Sequence, residues 1–154
     1  MKYDKINVYN TRYNEDKLIM LVKEASHDYG ESAGVVDRPE RAAALVVKIF
    51  DAGRLPEERL WMLALNGGRR VVGVFEVSHG TLMSSLVHPR EVFTRAVLCG
   101  AASIILAHNH PSGLLDISEQ DREVTRRIRL AGELMGIPLD DHIIVADGGE
   151  FVSL

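Results

Sequence analysis

The sequence predicts a mixed α/β domain, a central β-sheet flanked by helices, and three observations carry that expectation. Segments that alternate polar and apolar residues are interspersed with segments whose apolar residues recur at helical spacing. Ser103 to Ala107 is a continuous apolar run, which suits a strand buried on both faces. The chain has 154 residues, 46% hydrophobic and 26% charged, an ordinary globular composition. A chain of that size hides roughly two-thirds of its unfolded surface, enough for a core without covalent staples.

Each element follows from local chemistry. Lys5-Ile6-Asn7-Val8-Tyr9 alternates as a strand does, and Leu18-Ile19-Met20-Leu21-Val22 reads as a strand or the start of a short helix. Gly30 to Gly34 is a loop. Asp37-Arg38-Pro39-Glu40 opens a helix carrying Ala43, Val46, Val47 and Phe50, with Gly53 as its stop. After Pro56 the texture changes. Glu58 to Leu65 is a strand, Asn66-Gly67-Gly68 a tight turn and Val71 to Val77 the returning strand. Gly80 and Thr81 break it, and Leu82 to Val87 is expected to pair again. Pro89 introduces a helix through Glu91 to Gly100, with Val92, Ala96 and Val97 on one face.

The apolar run at 103–107 leads into a polar loop, His108 to Ile117. Ser118 then opens a helix to about Met135, with Val124, Ile128, Ala131 and Leu134 as its buried stripe. Gly136 and Pro138 end it, Ile143 to Ala146 is a further strand, and Gly148-Gly149 a turn. The expected division is an N-terminal segment, 1–53, packing on or extending the core, and a domain over 54–154.

Composition also excludes function classes. The single Cys99 forms no internal disulfide and no cysteine-based zinc site, so a reducing, cytoplasmic setting is expected. No apolar run approaches the ~20 residues of a membrane helix, and Met1-Lys2-Tyr3-Asp4-Lys5 begins no signal peptide. With 18 basic against 22 acidic residues, a net charge of −4 gives nucleic-acid binding little support. Any metal chemistry must rest on His and carboxylates.

The strongest chemical signal is His108-Asn109-His110-Pro111-Ser112-Gly113, followed by Ser118 and Asp121. At a strand end, residues i and i+2 project to one side, so His108 and His110 can converge on one ion. Asp121 lies in the first turn of the next helix, aimed back at the loop. Two imidazoles and a carboxylate suit zinc and leave a fourth position for water. The same residues admit a plainer reading, because Ser118-Glu119-Gln120-Asp121 also fits a capping box. Both readings stand at this point.

Several segments in order resemble one family. They are Gly80-Thr81-Leu82, His88-Pro89-Arg90-Glu91, Ala107 to Gly113 with Ser118 and Asp121, and Asp141-His142-Ile143-Ile144-Val145. Over about residues 54 to 154 the chain resembles the RadC family, a branch of the JAMM (MPN+) metalloprotease domain. That family's signature, His-x-His, ten residues, then Asp, is matched at His108, His110 and Asp121.

The resemblance implies a JAB/MPN-like fold with Zn2+ held by those three side chains and a water. It implies Glu58 as general base, with Glu57 the neighbour that could be confused with it, and Ser118 as a stabiliser of the oxyanion. Zinc lowers the pKa of bound water from ~16 to about 7, which makes a nucleophile available at neutral pH. The expected reaction is hydrolysis of an amide bond in a peptide or protein substrate. The family usually has Pro before that serine, where this chain has Ile117.

The remaining candidates have structural readings. His88 anchors the turn into a helix. Asp141 and His142 form a polar pair near the site or a strand edge, with a satisfied core histidine as the simpler account. His27 and His79 are surface residues, Cys99 is a buried inert thiol, and Arg122, Arg126, Arg127 and Arg129 belong to a solvated helix face. Competing functions are a silent interaction module and a DNA-repair role. Silent relatives typically lose the ligands, and no helix-hairpin-helix is found in residues 1–53. A zinc deaminase would need a Pro-Cys-x-x-Cys segment that is missing.

Overall fold

The structure is a computed structural model and describes residues 5–30, 34–80 and 87–154. Among these residues the order is β1 (Lys5–Tyr13), β2 (Ile19–Asp28), α1 (Pro39–Phe50), β3 (Arg59–Leu65), β4 (Val71–His79), α2 (Pro89–Leu98), β5 (Ser103–Asn109), α3 (Glu119–Met135), β6 (Leu139–Val145) and β7 (Phe151–Ser153). All seven strands join one sheet in the order β2-β1-β4-β3-β5-β6-β7. Pairing is mixed, parallel at β1–β4 and β5–β6 and antiparallel elsewhere. The expected mixed α/β architecture, a central sheet flanked by helices, is the one observed. The pairing expected for 82–87 falls outside the described residues except for Val87, which is buried.

The layers follow from the alternation of side chains along each strand. On β3, Leu60, Met62 and Ala64 join Leu106, Phe75, Val92, Phe93, Val124 and Ile128 in one core. Trp61, Leu63 and Leu65 join Val74, Ile105, Ala107, Ile143 and the α1 residues Ala42, Leu45 and Val46 in the other. Thus α2 and α3 cover one face and α1 the opposite face. Strand β5 is buried along its whole length, as its continuous apolar run requires. Strands β1 and β2 extend this same sheet beyond β4.

Several local expectations are corrected. Of the two readings of the segment 18–22 the strand is the one observed, since β2 starts at Ile19 and pairs antiparallel with β1. Helix α1 stops at Asp51, which takes the left-handed conformation at φ 52°, and Gly53 lies in a following 3-10 turn. Gly53 is needed for a different reason, since a Cβ there would meet the Ala146 carbonyl oxygen at 2.8 Å. The β3–β4 turn runs from Asn66 to Arg70, with Arg69 at φ 61° and the Asn66 side chain accepting from the Gly68 and Arg70 amides. Strand β5 continues through Asn109, so His108 belongs to the strand and not to the loop.

Two residues expected in the core are not there. Val97 is 52% exposed and Leu134 89%. The buried arc of α2 is Val92, Phe93 and Ala96, and that of α3 is Asp121, Val124, Thr125, Ile128 and Gly132. At about 100° per residue, Leu134 points roughly 140° from the middle of the α3 arc. A search for apolar residues alone misses that the middle of the arc is polar or small.

Candidate metal centre

Strand β5 lies parallel to β6 and antiparallel to β3, with Leu60 opposite His108 and Ile144 beside it. This fixes the backbone on both sides of His108, whose side chain is fully buried beneath α3. His110, two residues on, projects to the same side just beyond the strand end. The His110 amide donates to the Val145 carbonyl at 3.0 Å, and Gly113, at φ 79°, turns the chain while its amide donates back to the His110 carbonyl.

Helix α3 begins above these two rings. Ser118 is its N-cap, accepting on Oγ from the Asp121 amide at 3.0 Å, while Asp121 Oδ2 accepts from the Ser118 amide at 2.9 Å. This is a complete capping box, so the plainer reading of Asp121 is correct as far as it goes. It does not exhaust the carboxylate. Asp121 Oδ1 lies 3.1 Å from His108 Nε2, and Oδ2 lies 3.4 Å from His110 Nε2. One residue therefore starts the helix and faces both imidazoles.

The donor chemistry of this cluster is specific. His110 Nδ1 lies 3.0 Å from the Leu114 carbonyl, which can only accept, so Nδ1 carries the proton. In the neutral ring Nε2 is then a lone pair, and it sits 3.0 Å from His108 Nε2. The ligand atoms of His108, His110 and Asp121 all lie within 4.8 Å of one another and could hold a metal ion. Two imidazole nitrogens and a carboxylate oxygen form the N/O set that zinc accepts with a fourth position open. The residues present fit a divalent cation.

Electrostatics agree with that fit. Burial pushes Asp121 up, but the facing His108 and His110 rings and the Ser118 amide prevail and hold it well below the carboxylate range. The facing Asp121 carboxylate raises His110 against its burial. Burial lowers His108 and, most strongly, His142.

Glu58 immediately precedes β3 and is half-buried. Burial raises its carboxyl, the His110 charge opposes that rise, and the Asp121 charge adds to it. Glu57 is set apart, because its carboxylate pairs with His79. That contact also gives His79 a partner that its sequence context did not suggest. Asn109, the middle of the His-Asn-His string, has a distinct task. Its side-chain amide donates to the Glu57 carbonyl at 2.9 Å, and its oxygen accepts from the Arg59 amide at 2.7 Å. The two bonds bracket Glu58 and tie it to the histidine strand.

The other singled-out residues are placed as follows. His88 is the exposed N-cap of α2, its carbonyl accepting from the Glu91 and Val92 amides. Asp141 accepts from the His142 amide and from the Ser153 hydroxyl. Cys99 is half-buried at the end of α2, where burial pushes its thiol up. Arg126 pairs with Glu123 at 2.7 Å on the outer face of α3. His142 and Thr125 are buried directly against His108 and Asp121. Thr125, four residues after Asp121, shares its helix face, a signal present in the sequence. No comparable signal marks Asn109, whose partners lie 50 and 52 residues away.

Comparison with known proteins follows the same line. Residues 36–154 match the family described as RadC-like JAB domain. A UPF0758 protein of Desulforudis audaxviator is 48% identical over 128 residues, covering 81% of this chain and 53% of the relative. One of Clostridium kluyveri is 46% identical over 116 residues, covering 75% of this chain and 50% of the relative. A third, of Rubrobacter xylanophilus, is 50% identical over 94 residues, covering 61% of this chain and 41% of the relative. The chain spans about half the length of the curated relatives it matches. Among the described residues, no helix is long and apolar enough to cross a membrane.

Proposed function

The chain belongs to the RadC-like JAB domain family, and we propose that it is a zinc-dependent hydrolase of amide bonds in peptides or proteins, a metallopeptidase or isopeptidase. The observation that carries this reading is the convergence of His108, His110 and Asp121 with Glu58 beside them. His108 Nε2, His110 Nε2 and Asp121 would hold the ion. When bound, zinc supplies Lewis acidity and makes a water molecule acidic enough to serve as nucleophile near neutral pH.

The remaining chemistry falls to the chain itself. Glu58 is the general base, taking a proton from the attacking water and delivering it to the leaving amine. A carboxyl raised by burial suits both halves of that task better than one at its ordinary value. Asn109 holds Glu58 at its distance from the histidines through the two bonds that bracket it. Ser118 accepts in the capping box, which leaves its own proton for the oxyanion that develops on the substrate carbonyl.

Digestion of a peptide library by the zinc-loaded protein, with and without Glu58→Gln, tests this reading. Cleavage is expected for the native chain. In the variant the rate should fall by about 10²–10⁴-fold with zinc content unchanged. Cleavage that is insensitive to Glu58→Gln would remove Glu58 from the mechanism, and no cleavage by the native chain would favour an interaction module.

A further inference from the structure

A line of three buried polar side chains runs from helix α3 into the back of the cluster. Thr125 Oγ lies 2.9 Å from the Asp121 carbonyl oxygen and 2.6 Å from His142 Nδ1. His142 Nε2 lies 2.8 Å from His108 Nδ1. His142 and His108 are fully buried and Thr125 is 4% exposed, so water does not complete these contacts from outside.

One consistent set of directions follows once Thr125 donates to the Asp121 carbonyl. The Thr125 hydroxyl has one proton, and given to the Asp121 carbonyl, which can only accept, it is not available to His142. Thr125 Oγ then accepts from His142 Nδ1–H. A neutral ring with its proton on Nδ1 has a lone pair on Nε2, so His142 Nε2 accepts from His108 Nδ1–H. His108 is left with a bare Nε2, the atom that faces His110 Nε2 at 3.0 Å and Asp121 Oδ1 at 3.1 Å. On the other side the Leu114 carbonyl imposes the same tautomer on His110.

We propose that His142, backed by Thr125, is a positioning residue that holds His108 as the Nδ1–H tautomer and aims its Nε2 lone pair at the ion. The inference rests on reading the triad as a metal centre and adds what prepares it. Parallel pairing of β5 with β6 brings His142 behind His108, and the helical repeat puts Thr125 one turn after Asp121. A single hydroxyl on α3 thereby sets the protonation of a ligand on β5. The opposite order would start with Thr125 donating to His142 and end with His108 Nε2–H donating to Asp121, a closed arrangement that needs no ion.

Two readouts on the full chain test this. The first is zinc affinity, measured by competition with a chelator of known affinity. His142→Leu removes the acceptor for His108 Nδ1–H and is expected to weaken zinc binding by about 10–100-fold. His142→Gln offers a carboxamide oxygen in its place and should stay much closer to the native affinity. Equal losses in both variants, or no loss in either, would overturn the proposal.

The second readout is the 15N spectrum of the histidines in zinc-free protein, which does not depend on activity. Native His108 is expected to carry its proton on Nδ1, and Thr125→Val to shift it toward Nε2. A proton on Nε2 in the native chain, or a spectrum unchanged by Thr125→Val, would overturn it. Thr125→Val keeps the test open should His142→Leu not fold. A native chain that binds no zinc would sink the metal reading itself, whereas native binding with indifferent variants would sink only the role of His142.

Discussion

Asp121 closes the cap of α3 with one set of contacts and faces two imidazoles with another. The spacing His108, His110, Asp121 was enough to find these residues, because strand and helix periodicities alone bring them to one side. Asn109 and His142 were not legible in their roles, since their partners are supplied by strand pairing across tens of residues. The buried histidines also set a pH dependence. His142 and His108 have folded values lowered from 6.5, so the metal-free native chain binds fewer protons than the unfolded one. Their contribution is present above about 6.5 and is lost as pH falls toward the lowered values. His110 is raised, so it contributes below 6.5 and loses that contribution as pH rises through its folded value. Two fully buried rings outweigh one that reaches the surface. The metal-free protein should therefore melt at a lower temperature at pH 5 than at pH 7, as read by calorimetry in the presence of a chelator. A flat or inverted trend would show that the buried rings do not control stability there.

At the scale of elements, α3 is turned so that Asp121, Thr125 and Gly132 face the sheet and Leu134 faces water. The capping residues made the start of this helix legible, and Gly136 at φ 71° made its end so. Its rotation was hidden because a hydrophobic stripe gives no weight to the polar side chains that face the two histidines. Gly132 tests the orientation. A Cβ there would lie 2.5 Å from the Ile137 carbonyl oxygen, which is backbone and cannot swing aside. Gly132→Ala is expected to destabilise the fold by about 1–3 kcal/mol, the usual cost of overpacking, despite alanine's better helix propensity. Chemical denaturation measures it, and a stabilised variant would mean that α3 sits farther from the following chain.

At the scale of the molecule, the fold delivers chemistry from four separate stretches of chain to one sheet end. Glu58 enters before β3, the histidines leave β5, Asp121 opens α3, and His142 supports from β6. The alternating pattern of strands and helices showed the class of fold, whereas the strand order, with β1 parallel to β4, depends on non-local pairing that no local pattern encodes. With the candidate ligands drawn from β5 and α3, an ion held as proposed would bind only the folded chain well. Zinc at 100 times its dissociation constant should then stabilise the protein by about 2.7 kcal/mol, seen as a rise in Tm that a chelator reverses. An unchanged Tm would mean that the folded chain has no preference for the ion.

Elemental analysis of the purified protein asks directly whether His108, His110 and Asp121 hold a metal. The native chain should carry about one zinc per molecule, and the His108→Ala, His110→Ala double variant should carry none while remaining folded. A native chain free of zinc after exposure to it, or a double variant that retains it, would show that these side chains do not hold the metal.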